Sequence, residues 1–449
     1  MSRAPLLEKI LAGPQLPDKN FVLGGATYGQ IYSMARGLQS YFATQEEEVV
    51  CLCAEDKAVI AAALLASLAG GPVLLLPSAL SGQALAEMQV ATGFKTAIVD
   101  GNRELPAGIN QVVPAMGQEE EKAITPNLPR HLDHELLRLF TGGSSGTPRL
   151  WSKTARNLLA EAAYHALQYR LSPADRLVAT VPPYHIYGLL FSVLIPFLSS
   201  AAVAKETPSF PNEIRTAVAH HKATILASIP VHFRALKGRG LDCDSLRLAF
   251  SSAGMLDRED NMDFCRRNTT DLIEVYGSTE TGGIATRTLA QGEKAFRPFS
   301  SVDWRVSEER LEVRSPYVSP EVPRNGEGYS LLGDRVQLVQ EHGFLLLGRA
   351  TTIVKVGGKR VDLEEVRDKI KKTPGVTECL VFSRPAPGGR ENDIVALIEG
   401  QVGGQELRQG LAQLLEPYAM PRAIKVVEQI PLTASGKFDR TVIDRMLET

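Results

Sequence analysis

The sequence has no surplus of either charge: 49 Lys and Arg stand against 51 Asp and Glu over 449 residues, a formal net charge of -2. Nucleic-acid and anionic-membrane binders normally carry a basic excess, so neither partner is expected. Cysteine is scarce, odd in number and scattered, at Cys51, Cys53, Cys243, Cys265 and Cys379. No paired metal spacing occurs among them, and a reducing, cytoplasmic setting fits. Cys51 and Cys53 flank one residue in the apolar run VVCLCA and are expected to share a face of one strand as small core residues. The opening MSRAPLLEKILAGPQLP lacks the long apolar stretch and small-residue cleavage site of a signal peptide, so none is expected. Unbroken apolar runs are missing too. Ala58 to Pro77 is long enough to span a bilayer, but Gly70, Gly71 and Pro72 divide it, and Pro196 is expected to cut the run that starts at Phe191. Neither reads as a membrane span, and no internal repeat or low-complexity segment is present.

What is present is ordinary for a globular protein: 44% hydrophobic and 22% charged residues, with a length that implies more than one domain. Over the first 130 or so residues, strand-like runs (VVCLCA, VLLLP, TAIVD) alternate with helical patterns, one opening near Asp56 and one around Leu85. That rhythm implies βα units with parallel strands. It continues through RLVATVP, ATILASIP and LRLAFSSAG. From about Asp303 the pattern turns to alternating β, as in RLEVRS and GFLLLG. After Gly348-Arg349 come a strand, a glycine turn, a helix opening near Asp362, strands ECLVFSRP and DIVALIEG, a helix near Gln405 and the strand AIKVVEQ, a plausible small second domain.

Four segments carry chemistry. LFTGGSSGTPRL, Leu139 to Leu150, is rich in glycine and hydroxyl residues, a composition that suits either a surface turn or a phosphate cradle. No Gly-Lys-Ser/Thr follows Gly146, so it is not a P-loop of the Walker type. An amphipathic helix is expected from about Thr154. EVYGSTETGG starts at Glu274. LLGDRVQLVQEHGFLLLGR places Gly333-Asp334, Gly343-Phe344 and Gly348-Arg349 at fixed intervals. PLTASGKFDR, Pro431 to Arg440, sits near the chain end with Lys437 after a glycine. A weaker fifth segment, VPPYHIYGLL, contains His185, Tyr187 and Gly188.

In this order the segments resemble the motifs of the adenylate-forming superfamily: acyl- and aryl-CoA synthetases, AMP-dependent synthetases and ligases, peptide-synthetase adenylation domains and beetle luciferases. The match runs from Thr141 to Arg440, most of the chain. It implies an α/β fold, with a large N-terminal domain of parallel βα-type sheets plus a β-rich subdomain (1–348), a hinge (349–351) and a small mobile α+β C-terminal domain (352–449).

The resemblance also implies roles. ATP is expected to meet Thr141, Gly143, Ser144, Ser145, Gly146 and Thr147 in the loop, Ala253 and Gly254 in the degenerate adenine loop FSSAGML, and Glu274, Tyr276, Gly277 and Thr279. Tyr276 would stack on adenine and Thr279 meet the α-phosphate. Glu280 would hold Mg²⁺, in keeping with the preference of a hard cation on phosphate for a carboxylate and waters. Asp334 would accept both ribose hydroxyls, Arg349 would contact ribose or phosphate, and Lys437 would be the adenylation lysine. Catalysis is thus expected of Lys437, Glu280, Thr279 and Arg349. The acyl pocket is expected at His185, Tyr187, Gly188, Ser228, Pro230, Gly277 and Ser278. No acid lies between His185 and Lys205, which disfavours an α-amino substrate and leaves aryl and medium-chain acyl acids open. Lys355, Gly357 and Gly358 are expected to face the thiol.

The expected reaction is ATP-dependent ligation of a carboxylic acid through an acyl-adenylate to coenzyme A. One alternative is loading of the phosphopantetheine of a separate acyl carrier protein; another is a nucleotide-binding scaffold without turnover. Gly142, Arg149 and Thr351 depart from the family pattern and are the features that favour the scaffold. A homodimer is compatible with the sequence.

Overall fold

A computed structural model describes residues 4–115, 124, 132–141, 149–339, 343–349, 352–356, 359–386, 392–433 and 438–448. The expected βα rhythm is there from the first strand. Val49–Cys53 forms β1, with Cys51 and Cys53 buried on one face, their sulfurs 3.2 Å apart. Asp56 then accepts the amides of Ala58 and Val59 at 2.8 and 3.4 Å and starts the helix Lys57–Leu68. Every residue of that helix is buried, as its all-round apolar surface requires. Gly71 follows it because a Cβ there would lie 2.8 Å from the Ala66 carbonyl oxygen. The chain returns as β2 (Val73–Leu76), parallel to β1.

With β3 (Thr96–Val99), β4 (Asn110–Val112), β5 (Glu135–Thr141) and β6 (Arg149–Thr154), these strands form a sheet in the order 4-3-1-2-5-6. Only β6 runs antiparallel to its neighbour. Thr154 ends β6 and caps the helix Ala155–Gln168 through a capping box with Asn157, where a helix is expected. A second sheet has the order 13-12-11-10-9-7-8. Its strands are β7 (Arg176–Ala179), β8 (Ala202–Val203), β9 (Ile225–Ser228), β10 (Leu248–Ser251), β11 (Asp271–Ser278), β12 (Gly282–Thr288) and β13 (Arg297–Pro298). β7 to β11 are mutually parallel, while β12 and β13 are antiparallel additions. One core joins the two sheets, with Leu52 and Leu74 from the first in the same cluster as Leu177, Ile225 and Phe250 from the second.

Pro196 does not cut its run. Helical structure is continuous over 186–199, passing through a π-helical stretch at Leu190–Leu194. Pro196 lies in the first turn of the α-helical segment Ile195–Ser199, where its missing N–H is least costly. Among the described residues no helix is long and apolar enough to cross a membrane.

The helix Ala155–Gln168 carries an unusual buried group. His165 is fully buried against Tyr164, Tyr169, Phe191, Phe250 and Phe299, and neither ring nitrogen has a hydrogen-bond partner among the described residues. Burial pulls its pKa down to about 3, so the native ring stays neutral. Below the ordinary histidine value near 6.5 the unfolded chain takes up a proton that the native state does not, so stability falls as pH drops from there towards 3. His165→Phe is therefore expected to stabilise the fold by about 1–2 kcal/mol at pH 7. The gain should widen by about 2 kcal/mol at pH 5. Denaturant melts at the two pH values measure it; an identical gain at both would assign the acid loss to another group.

Contacts divide the chain into two compact units. The first is Met1–Asp303 with Arg314–Gly328, and holds both sheets above. The second is Trp304–Val313 with Tyr329–Thr449. It contains a four-stranded sheet of β14 (Asp303–Ser307), β15 (Arg310–Arg314), β16 (Ser330–Val339) and β17 (Gly343–Arg349), then the hairpin β18 (Ile353–Val356) and β19 (Lys359–Asp362). Asp362 caps the helix Leu363–Lys371 by accepting the Glu364 amide at 3.0 Å. A sheet of β20 (Val376–Pro385), β21 (Asn392–Gly400) and β22 (Ala423–Val427) packs with that helix and with Gly404–Leu414 around Val366, Ile370, Cys379, Ile398, Leu407 and Leu411.

Candidate active site

In the second sheet β9 and β10 end together, and β11 runs four residues further. Ser251, the last residue of β10, is in register with Ser228 on β9 and with Glu274 on β11. The segments after these strands therefore emerge at one C-terminal edge, where ligands bind in open α/β sheets. That edge gathers Ser228 and Pro230, Ala253 and Gly254, and the YGSTE segment. A Cβ on Gly254 would stand 3.6 Å from Pro230 Cγ, so the two loops abut. Ala253 has φ of +69°, a left-handed conformation that a side chain disfavours and that tends to persist at functional loops.

Around the expected acyl pocket, Tyr187 donates its phenol to the Phe250 carbonyl at 3.1 Å, and burial pushes its pKa up, so it stays protonated. His185 precedes the helical turn Ile186–Leu189, its ring 4.7 Å from that of Tyr184. Gly188 has no alternative there, because a Cβ would fall 2.0 Å from the Pro182 carbonyl oxygen. Ser228 is fully buried and its hydroxyl lies 2.7 Å from that of Thr180. Thr180 in turn lies 2.8 Å from Nδ1 of His232, whose pKa burial pulls down to about 4. Sequence reasoning missed Thr180 and His232, because no motif marks them.

The YGSTETGG segment folds tightly on itself. A Cβ on Gly277 would meet the Gly282 carbonyl oxygen at 2.3 Å, and Gly282 has φ of +67° with Tyr317 Cβ 2.6 Å from where its own Cβ would be. Ser278 and Thr281 tie the turn through their hydroxyls at 2.9 Å. The Glu280 carbonyl accepts the Ser319 amide at 2.8 Å. The Tyr276 ring stands 5.9 Å from Phe296, over which the Arg287 guanidinium sits at 4.5 Å. Glu274 is buried rather than presented at the edge: Arg287 donates to it at 2.7 and 3.3 Å, and Asn261 at 3.3 Å. Burial raises its pKa against the pull of Arg287. Thr279 and Glu280 are half-exposed, with no side-chain hydrogen bond or ion pair among the described residues. One half-exposed carboxylate on a braced turn suits a phosphate-bound Mg²⁺, which keeps most of its waters and needs one or two protein ligands.

In the second unit, Asp334 on β16 and Arg349 on β17 are ladder partners, their charged groups 3.7 Å apart. Lys355 lies exposed on β18, its carbonyl accepting Asn392 Nδ2 at 3.0 Å. In the LFTGGSSGTPRL segment, Thr141 is the last residue of β5 and pairs with Arg149 on β6. The expected site residues Gly143, Ser144, Ser145, Gly146 and Thr147, together with Thr351, Gly357, Gly358 and Lys437, lie outside the described residues.

Residues 15–333 match the AMP-binding enzyme family and residues 365–437 the AMP-binding enzyme C-terminal domain. The sulfoacetate–CoA ligase of Cupriavidus necator is 26% identical over 359 residues, covering 73% of this chain and 70% of that protein. The 4-coumarate–CoA ligase of Rhodobacter capsulatus is 29% identical over 302 residues, covering 66% and 73%. Among solved structures, ATP-bound MatB from Rhodopseudomonas palustris superposes with a TM-score of 0.84 at 18% identity, covering 100% of this chain and 99% of the other. The O-succinylbenzoate coenzyme A synthetase of Bacillus subtilis with ATP and magnesium gives 0.77 at 18% identity, covering 93% and 94%. These two share the fold. With the family matched over most of its length, the chain belongs to the AMP-binding enzymes, the adenylate-forming superfamily of AMP-forming acid ligases.

Proposed function

We propose that the protein activates an aryl or medium-chain acyl acid with ATP and transfers the acyl group to coenzyme A. The observation that carries this is the convergence of Ser228, Pro230, Ala253, Gly254 and the braced YGSTE turn at one edge of a parallel sheet. The acid's carboxylate oxygen attacks the α-phosphorus, the bond to the β-phosphate breaks, and pyrophosphate leaves. The thiol sulfur then bonds to the acyl carbon and AMP departs. Little proton chemistry is needed in the first step, because the nucleophile is already ionised; positioning and charge cancellation carry it.

The first step brings anion to polyanion, and two unit charges at 4 Å repel by about 4 kcal/mol at an effective dielectric of about 20. Thr279, the donors of 141–147 and Lys437 are the groups proposed to offset this. Mg²⁺, held through Glu280, would neutralise phosphate charge. Tyr276 offers its ring to adenine, backed by the buried Glu274–Arg287 pair. In the second unit, Asp334 offers a carboxylate to the ribose hydroxyls and Arg349 a guanidinium. His185, Tyr187, Gly188 and Ser228 would bound the acyl group, and the 349–351 hinge would let Lys355, Gly357 and Gly358 serve the thiol step.

ATP–pyrophosphate exchange over a broad carboxylate panel tests the first half, and exchange with at least one aryl or acyl acid is expected. Silence across the panel with ATP binding intact would reject adenylation in favour of a scaffold. Product formation with free coenzyme A against holo-carrier protein tests the second half; exclusive use of the carrier would reject coenzyme A as acceptor.

A further inference from the structure

Strand β6 and the helix after it present a row of polar side chains inside the core. Lys153, Asn157 and Glu161 follow one another at four-residue spacing, and all three are buried. Lys153 forms no ion pair with a carboxylate among the described residues. Its ammonium donates instead to two backbone carbonyls, that of Tyr317 at 2.9 Å and that of Glu280 at 3.4 Å. Asn157 Nδ2 donates to the carbonyls of Pro316 and Val318 at 2.7 and 3.3 Å. Glu161 accepts the Gly283 amide at 2.7 Å, and its carboxylate lies so close that a Cβ on Gly282 or Gly283 would collide with it at 2.7 or 2.8 Å. Two opposite charges thus grip the two ends of one turn, Glu280 and Gly283.

Burying a lysine is expensive unless its charge is used. Burial does weaken the charged form here, pulling the Lys153 pKa down to about 8 against the opposing pull of Glu161, Glu280 and Glu321. An apolar side chain would fill a core strand position at less cost, so packing does not account for the ammonium. What the ammonium does hold is the backbone of the turn that carries Thr279 and Glu280, and it holds it from β6. That same strand begins at Arg149, where the phosphate segment ends.

We infer that Lys153 and Glu161 are positioning residues for adenylation, fixing the 278–283 turn against β6 so that Thr279 and Glu280 meet the phosphates at a set place. This rests on the function proposed above. Neither residue touches a reacting atom; they act through the Glu280 carbonyl and the Gly283 amide.

Full-length wild type, Lys153→Met, Glu161→Gln and the double variant Lys153→Met/Glu161→Gln are compared in both half-reactions. In Lys153→Met and in the double variant, kcat of ATP–pyrophosphate exchange should fall about 10- to 100-fold. The Mg²⁺ concentration for half-maximal exchange should rise, the KM for the acid should hold within about threefold, and thiolysis of a supplied acyl-adenylate should be spared. Glu161→Gln keeps an acceptor for Gly283 and should lose less than either. The double variant guards against misfolding, because replacing both buried charges is often neutral for stability. Unchanged kcat and Mg²⁺ dependence in Lys153→Met would overturn the inference. So would proportional loss of both half-reactions in Lys153→Met and the double variant alike, the mark of a merely structural pair. A wild type silent with every acid would instead overturn the proposed function.

Discussion

Lys437→Ala is expected to slow acyl-adenylate formation about 10²- to 10³-fold while leaving thiolysis of a supplied acyl-adenylate near the wild-type rate. The asymmetry follows from where charge develops. In adenylation a carboxylate approaches a triphosphate, and a cation between them is worth more in the transition state than before it. In thiolysis the pyrophosphate has gone and the leaving group is the single phosphate of AMP. Among the segments assigned to the phosphates, the loop 141–147 supplies only neutral donors, and Thr279 is neutral too. Removing Lys437 therefore takes away one of the two side-chain cations assigned near the phosphates and leaves only Arg349, whereas Lys437→Arg should recover part of the rate but not the geometry. Single-turnover formation of the adenylate, against thiolysis of the chemically made intermediate, measures the two halves separately. Equal loss in both would mean that Lys437 serves the fold or both steps, not adenylation alone.

The second large effect is one of stability. Arg287→Ala should destabilise the first unit by about 3–5 kcal/mol, because it strands a carboxylate in the core. Glu274 is buried, and with Arg287 gone only the Asn261 amide at 3.3 Å remains to answer it among the described residues. The stranded group can escape the cost by taking up a proton, towards which burial already pushes it. The loss should accordingly shrink as pH falls towards 5. Arg287→Ala with Glu274→Leu should recover most of the stability, since the partner is no longer stranded. Denaturant midpoints at pH 7.5 and pH 5 test both points; an Arg287→Ala loss independent of pH would mean that packing against Phe296, not the charge, is what Arg287 contributes. Adenine affinity should drop as well, because the guanidinium sits over Phe296, whose ring is 5.9 Å from that of Tyr276, the residue proposed to stack on adenine.

Local signals in the sequence carried most of the fold. Asp56, Thr154 and Asp362 each cap a helix where an acid or hydroxyl precedes a helical pattern. Gly282 has a left-handed φ and Gly277 closes on the turn's backbone, in the EVYGSTETGG segment. Asp334 and Arg349, fifteen residues apart in the chain, turn out to be ladder partners. What stayed hidden depends on partners remote in sequence. Lys153 reaches Glu280 across 127 positions, and Glu161 reaches Gly283 across 122. Glu274 reads as a nucleotide contact in its motif, yet its carboxylate faces Arg287 on the neighbouring strand. Pro196 looked like a stop because proline rules are local, whereas the π-helical stretch before it lets the helical path continue. His165, with no motif and no hydrogen-bond partner among the described residues, gave no signal at all.

The placement of the phosphate segment between β5 and β6 has a consequence for how its length is maintained. Thr141 and Arg149 are antiparallel partners with seven residues of sequence, 142–148, between them, and the next described helix begins only after β6. Closing a loop costs entropy that grows slowly with length, about 0.6 kcal/mol for each doubling. Adding or deleting one residue between Thr141 and Arg149 would scarcely register in the folding equilibrium, yet it would change the set of donors that the sequence offers there. Folding is therefore almost blind to the number seven, and that number answers to whatever the segment must hold.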